Sequence, residues 1–269
     1  MTRTLAIGGA DLFLIRDASL QIAGESALFP SKPGDWGAEL APDGEGMLPV
    51  AVTCLLIRCG EETALVDTGF GDVEDPDRAE SLSRGLRELS VAPESIRWVI
   101  ITHAHGDHCL GCTRERDGER AAAFPNARYV LQEKECRSAR ADEQLWRTQF
   151  AVLDRNGRIH RIQGDTRLTR CITCLSTPGH TVGHQSVLIE SNGESAVFLG
   201  DLSIFATGME HPEWGPDWAW SREEDIRSRR RIAEYAAGNR SVLIVGHDPQ
   251  RPFVTVTAGP AGLRVASVP

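Results

Sequence analysis

The stretch ITHAHGDHCLG at residues 101–111 places His103, His105, Asp107 and His108 within six positions, directly after the apolar run WVII. The whole chain has eight histidines. Imidazole and carboxylate together suit zinc and the neighbouring first-row metals, so such a cluster is half of a site whose other half should be findable. Asp and His close apolar runs elsewhere too: Asp67 after ALV, His180 after CLSTPG, Asp201 after VFLG and His247 after VLIVG. A lone strand-end histidine is usually an ordinary surface or core residue. Five segments that end alike are a pattern. In His-x-His both rings fall on one side, because side chains of an extended chain alternate with period two; Asp107 and His108 can then face a second position. Five histidines and two carboxylates exceed what one tetrahedral ion uses, since a catalytic ion keeps three protein ligands and an open place. Two divalent ions are expected, zinc first, with manganese, iron, cobalt and nickel compatible. Asp67-Thr68-Gly69 also spells the aspartic-protease triplet, but that enzyme needs a pair of them and the chain has one.

The elements that would carry these residues alternate along the chain. Residues 50–59, 63–69, 97–102, 127–132, 169–177, 185–190, 195–201 and 241–247 read as strands, rich in Val, Leu and Ile and closed by polar residues. Asp75-Pro76 opens a helix with Leu82, Leu86 and Leu89 on one face, helical sequence follows residue 132 to about Phe150, and Ser221 with Glu224 forms a capping box for a helix to about Ala237. The pattern is mixed α/β. Segments 20–48 and 206–220 read as long loops, which in compact domains are often functional.

Composition sets the outer bounds. The 269 residues suffice for one large domain or two small ones, and the chain reads as a single domain over 1–269, with 1–48 partly a lid or dimer-contact extension. A net charge of −9 argues against nucleic acid as partner. No apolar run approaches the ~18 residues of a membrane span, and the apolar stretch near the N-terminus is short and broken by Asp11, so no secretory signal is read. A cytoplasmic location follows as an expectation, and with it free thiols for the seven cysteines. Cys109/Cys112 and Cys171/Cys174 have the Cys-x-x-Cys form and together could hold zinc. The second pair alternates like a strand and the first abuts the histidine cluster, so neither is expected to form a separate site.

HAHGDH is an intact His-x-His-x-Asp-His motif, and with Asp67, His180, Asp201 and His247 in this order the chain resembles the metallo-β-lactamase superfamily from roughly residue 50 to 250. The resemblance implies a four-layered αββα sandwich with the site at one edge between two sheets. It implies His103, His105 and His180 on a first metal, Asp107, His108 and His247 on a second, Asp201 bridging both, and Asp67 orienting a ligand histidine. His184 matches a family histidine that is usually not a ligand. It further implies hydrolysis: a hydroxide shared between two ions about 3.5–4 Å apart is nucleophilic near neutral pH, the ions stabilise the oxyanion, and Asp107 or a metal-bound water returns a proton to the leaving group.

Among substrates of such hydrolases, a lactone or other carboxylic ester is expected first, of the quorum-quenching lactonase kind. Phosphotriester or aryl-ester hydrolysis of the methyl-parathion-hydrolase type is the alternative, followed by a mononuclear iron sulfur dioxygenase and a glyoxalase-II-type thioesterase. Quorum-quenching lactonases often carry a tyrosine shortly after the bridging aspartate; here DLSIF offers Ile204 and Phe205. Trp214, Trp218 and Trp220 in the loop 209–221, joined by Trp36, read either as a cap on the core or as an apolar wall for a hydrophobic substrate. A homodimer is compatible with the long N-terminal segment.

Overall fold

The computed structural model describes residues 2–71, 81–116, 118–259 and 262–268; Asp75-Pro76, where the sequence opens a helix, lies outside them. One seven-stranded sheet runs in the order β1 (Arg3–Ile7), β2 (Ala10–Ala23), β3 (Met47–Cys59), β4 (Glu62–Val66), β5 (Trp98–Ile100), β8 (Arg128–Gln132), β9 (Ile159–Ile162), with the hairpin of β6 (Thr113–Arg116) and β7 (Glu119–Ala122) standing apart. The other seven-stranded sheet orders β10 (Thr166–Arg167), β11 (Ile172–Ser176), β12 (Gln185–Ser191), β13 (Glu194–Phe198), β14 (Val242–Ile244), β15 (Phe253–Gly259) and β16 (Gly262–Ser267).

Period-two alternation explains the layering. Along β3, Leu55 and Ile57 face the second sheet and pack with Ile172, Val187, Ile189, Phe198 and Ile244. Cys54 and Leu56 face outward against Leu82 and Leu86 of the helix Leu82–Glu88 and against Phe150 and Leu153. Both faces of the strand are thus apolar, which is why it reads as an unbroken run. The second sheet repeats the scheme. Leu188, Val197 and Leu243 point out to Ile232, Ala233 and Ala236 of the helix Arg222–Asn239. The result is the expected αββα sandwich. The long helix starts at the expected cap, where the Ser221 side chain accepts from the Glu224 N–H at 3.4 Å.

Three sequence readings change. The segment 20–48 is not a continuous loop: β2 extends to Ala23, and a helix spans Pro33–Leu40 with its proline in the first turn, where the missing N–H costs no bond. The segment 206–220 contains one helical turn, Thr207–Glu210. The thiols are not all free. Cys59 at the end of β3 and Cys171 before β11 form a disulfide with Cα atoms 6.6 Å apart, because the two sheets bring these ends face to face. Cys54, Cys109, Cys112, Cys136 and Cys174 remain buried free thiols. Among the described residues no helix is long and apolar enough to cross a membrane.

Candidate metal centre

Four strands deliver the site. β4 runs parallel to β5 in the first sheet, and β13 parallel to β14 in the second. Parallel neighbours end on the same side, so Asp67, the 103–108 segment, Asp201 and His247 all leave C-terminal strand ends at one rim of the sandwich. His180 arrives on the turn between β11 and β12. Local backbone serves these exits. Asp67 has φ 60°, turning its carboxylate back toward Thr102. Gly200 has φ 58°, and a Cβ there would lie 2.8 Å from His184 Nε2, so only glycine lets the chain reach Asp201 by this path.

The side chains form two clusters. His103 Nε2 and His180 Nε2 each lie 3.0 Å from His105 Nδ1. His108 Nε2 and His247 Nε2 are 3.3 Å apart, and Asp107 Oδ2 is 3.3 Å from the first and 3.8 Å from the second. Asp201 stands between them. Its Oδ1 is 2.9 Å from both His108 Nε2 and His247 Nε2, while its Oδ2 is 3.3 Å from His180 Nε2 and 3.9 Å from His103 Nε2. One carboxylate therefore turns one oxygen to each cluster. The rings are buried except for His105, which is exposed beside the half-buried Asp107 and marks the open side.

The far side of each ring sets its tautomer. His247 Nδ1 meets the Ala51 carbonyl at 2.6 Å and His108 Nδ1 meets Asp67 Oδ2 at 2.8 Å. Both partners only accept, so both Nδ1 atoms carry the proton and both Nε2 atoms offer a lone pair. Thr102 donates its hydroxyl to Asp67 Oδ2 at 2.9 Å and its N–H to Asp67 Oδ1 at 2.7 Å. With that proton committed, the Thr102 oxygen accepts from His103 Nδ1 at 3.1 Å, and His103 Nε2 is free as well. His184 is turned the other way. Its Nε2 accepts from the Asp201 N–H at 3.1 Å and its Nδ1 donates to the Thr177 carbonyl at 3.1 Å. It holds the backbone of Asp201 and contributes no lone pair to the clusters.

Electrostatics point the same way. Burial holds His103 well below the usual imidazole range, and holds His180 down to about 4 and His184 to about 3. These rings are neutral. Burial works to raise the Asp201 carboxyl, but the His108 and His247 rings beside it outweigh burial and hold Asp201 well below the carboxylate range. The same happens at Asp107, brought to about 2 mainly by His108. His108 shows the reverse balance: burial lowers it, and Asp107, Asp201 and Asp67 raise it well above its ordinary value. The field of carboxylates that favours a second proton on His108 and on His247 equally favours a divalent cation in place of those protons. That donor set fits divalent cations. The groups whose ligand atoms lie within 4.8 Å of one another are His103/His105/His180, His103/His108/Asp201 and Asp107/His108/His247.

The other expected residues are spread around this rim. Trp36, Ile204 and Phe205 are buried in one apolar cluster with Leu28, Leu40, Leu48 and Val50, and Trp214 packs against it half-buried. Trp218 and Trp220 are 42% and 58% exposed, and the Trp220 N–H donates to the His180 carbonyl at 3.0 Å. Two positioning residues have no precedent in the sequence reading. One is Thr102. The other is the buried Glu135, whose Oε1 accepts from Ala104 N at 2.8 Å and whose Oε2 accepts from Thr181 Oγ1 at 2.7 Å and Gly183 N at 3.0 Å. It ties the His103–His105 loop to the His180–His184 loop. Its only sequence signal is a carboxylate beside Cys136 on the inner face of the helix Glu133–Ala141.

Two facing sheets that deliver Asp and His from parallel strand ends into a pair of joined clusters define a metal-dependent hydrolase. The chain belongs to the metallo-beta-lactamase superfamily, whose family model matches residues 47–247. An N-acyl homoserine lactonase of a Bacillus species is 26% identical over 224 residues, which span 75% of this chain and 83% of the relative. Two solved structures share the fold. AidC, a dizinc quorum-quenching lactonase, superposes with a TM-score of 0.84 at 19% identity, covering 100% of this chain and 97% of its own. A probable metal-dependent hydrolase from Staphylococcus aureus gives 0.84 at 20% identity, covering 98% and 99%.

Proposed function

We propose that the protein opens lactone rings, with N-acyl homoserine lactones as the first candidates, at a centre of two divalent ions, zinc foremost. His103, His105 and His180 hold one ion, Asp107, His108 and His247 the other, and Asp201 is shared. The observation that carries this reading is the Asp201 carboxylate, which turns Oδ2 to the first cluster and Oδ1 to the second. Bound divalent ions supply Lewis acidity, lowering the pKa of water to about 7 and polarising a carbonyl oxygen. The chain does the rest. His184 and Asp67 fix Asp201 and His108, and the exposed His105 and half-buried Asp107 border the side from which an ester enters. Hydrolysis adds water across the C–O ester bond and leaves a hydroxy acid. The Asp107 carboxylate accepts the proton that water loses and passes it to the departing alkoxide.

Chelator-sensitive acid release from a panel of N-acyl homoserine lactones, plain γ- and δ-lactones, an aryl ester and a phosphotriester tests this. Lactone turnover that EDTA abolishes and zinc restores supports it; an inert lactone set sinks it. One observation favours a second reading, phosphotriester or aryl-ester hydrolysis: Ile204 and Phe205 follow Asp201 and are buried among apolar side chains, so that segment offers no phenol hydroxyl to a lactone. The same panel separates the two.

A cytoplasmic location, a homodimer and the absence of nucleic-acid partners belong to the same proposal. The net charge of −9 favours the last. The Cys59–Cys171 bond weighs against the first, since disulfides persist chiefly in oxidising compartments.

A further inference from the structure

The two clusters are oriented by different means. In the second, His108 and His247 are held through the ring nitrogen that faces away, by Asp67 Oδ2 at 2.8 Å and the Ala51 carbonyl at 2.6 Å. In the first, Thr102 Oγ1 holds His103 likewise at 3.1 Å, but His105 is exposed and the buried Nδ1 of His180 has no hydrogen-bond partner among the described residues. A ligand ring is usually oriented through its far nitrogen. Where that bond is missing, the backbone that carries the ring must set its place. His105 and His180 ride on different backbone: one follows β5 of the first sheet, the other sits on the turn between β11 and β12 of the second.

Glu135 is joined to both loops. It is 2% exposed and is the third residue of the helix Glu133–Ala141. A glutamate at that position often reaches back to the N–H that opens its helix; here both carboxylate oxygens serve other segments. Oε1 accepts from the Ala104 N–H at 2.8 Å, and Ala104 stands between His103 and His105. Oε2 accepts from Thr181 Oγ1 at 2.7 Å and from the Gly183 N–H at 3.0 Å, and Thr181 directly follows His180. Ala104 and Thr181 thus adjoin all three ligand candidates of the first cluster and none of the second. Packing repeats the hydrogen bonding. A Cβ on Gly183 would lie 2.3 Å from Glu135 N and 2.7 Å from Glu135 Cβ, so the His180 loop rests on the helix start with no room for a side chain. The turn's bonds from Trp220 N to the His180 carbonyl and from Ser221 N to the Gly179 carbonyl run to the aromatic loop instead. Gln185 N meets the Thr102 carbonyl at 2.9 Å, but at the roots of the two loops.

We propose that Glu135 is a positioning residue for one ion alone. Its carboxylate holds the His103–His105 loop and the His180 turn in register, so that the three imidazoles can close on one ion. The group of Asp107, His108 and His247 forms without it, because its two rings are oriented through their own far nitrogens. This rests on the two-ion reading of the site.

The test compares three full chains: the natural protein, Glu135→Gln and Glu133→Gln. Glu135→Gln keeps the volume, but an amide has one acceptor oxygen, and its NH2 must face the N–H of either Ala104 or Gly183. Glu133 pairs with Arg137 on the same helix and serves as the control for its first turn. Zinc affinity is read by competition with a chromophoric chelator, and histidine-ring ¹H–¹⁵N correlation shows which rings have lost their metal. The natural protein and Glu133→Gln should bind two zinc ions alike. Glu135→Gln should bind the ion of His103, His105 and His180 10–100-fold more weakly and the other within about threefold. Loss at neither ion, equal loss at both, or loss at the ion of His108 and His247 would each overturn the proposal; equal loss is what a merely structural role would give. Should Glu135→Gln fail to fold, Thr181→Val decides. It removes one donor, leaves the carboxylate its two N–H partners, and should show the same selective loss in smaller measure, with the same outcomes overturning the proposal. A natural protein that binds fewer than two zinc ions would sink the two-ion reading itself, and this inference with it.

Discussion

The Thr102 hydroxyl serves both clusters at once. It donates to Asp67, which orients His108, and accepts from His103. Replacing it by the isosteric valine removes both services without changing volume, and Thr102→Val should weaken metal binding 10–100-fold while the metal-free protein still folds. Metal content after dialysis against a weak chelator checks this. Asp201→Asn is expected to lower metal content and abolish turnover together; two retained ions with full activity would show that the carboxylate is not shared. His184 yields a pH prediction. Burial lowers its folded-state pKa to about 3, below the ordinary value of about 6.5. The neutral ring therefore contributes stability that is complete above about pH 6.5 and lost as pH falls toward 3, because the unfolded chain gains a proton the folded one refuses. In metal-free protein the difference in melting temperature between the natural chain and His184→Gln should shrink from pH 7 to pH 4. At this scale the sequence was informative wherever a residue type is chemically costly. Imidazoles and carboxylates at the ends of apolar strands have few bland explanations. Thr102 and Glu135 were illegible because threonine and a helical glutamate are common, and only the fold brings them to Asp67 or to a second loop.

Elements divide in the same way. Residues 50–59, 127–132, 185–190 and 195–201 were legible as strands because both faces of a central strand are buried and the run is uniformly apolar. The region 20–48 was not. Its strand end mixes Leu20, which is exposed, with polar residues, and its helix Pro33–Leu40 is short and glycine-containing, with little intrinsic helical signal. That helix is held by tertiary packing: Trp36 is buried against Gly24 and Leu48. The aromatic loop 209–221 splits into two parts. Trp214 packs into the apolar cluster, while Trp218 and Trp220 stay open to solvent, the Trp220 N–H bonded to the His180 carbonyl. Trp218→Ala should accordingly raise KM for long-chain or aromatic esters several-fold with little change in melting temperature. A marked loss of stability with unchanged kinetics would assign that side chain to the core instead.

For the whole molecule, the αββα architecture was legible from the alternation of strands and helices joined to the motif order. The Cys59–Cys171 bond was not, since pairing depends on which strand ends face each other across the sandwich. Those cysteines lie at the end of β3 and just before β11, at the opposite end of the sheets from the candidate ligands. On the proposed two-ion reading the sandwich is thus fastened at both ends: covalently at one, and at the other by ions whose ligands come from both sheets. Two fastenings on one chain do not act independently. Each shortens the loop that the other must close, so each contributes less while its partner is intact. Removing metal should therefore lower the melting temperature less in oxidised protein than in reduced protein, and a four-way comparison with chelator and reductant measures the difference. On that reading the protein should withstand the loss of either its ions or its disulfide, and should unfold most readily when both are taken at once.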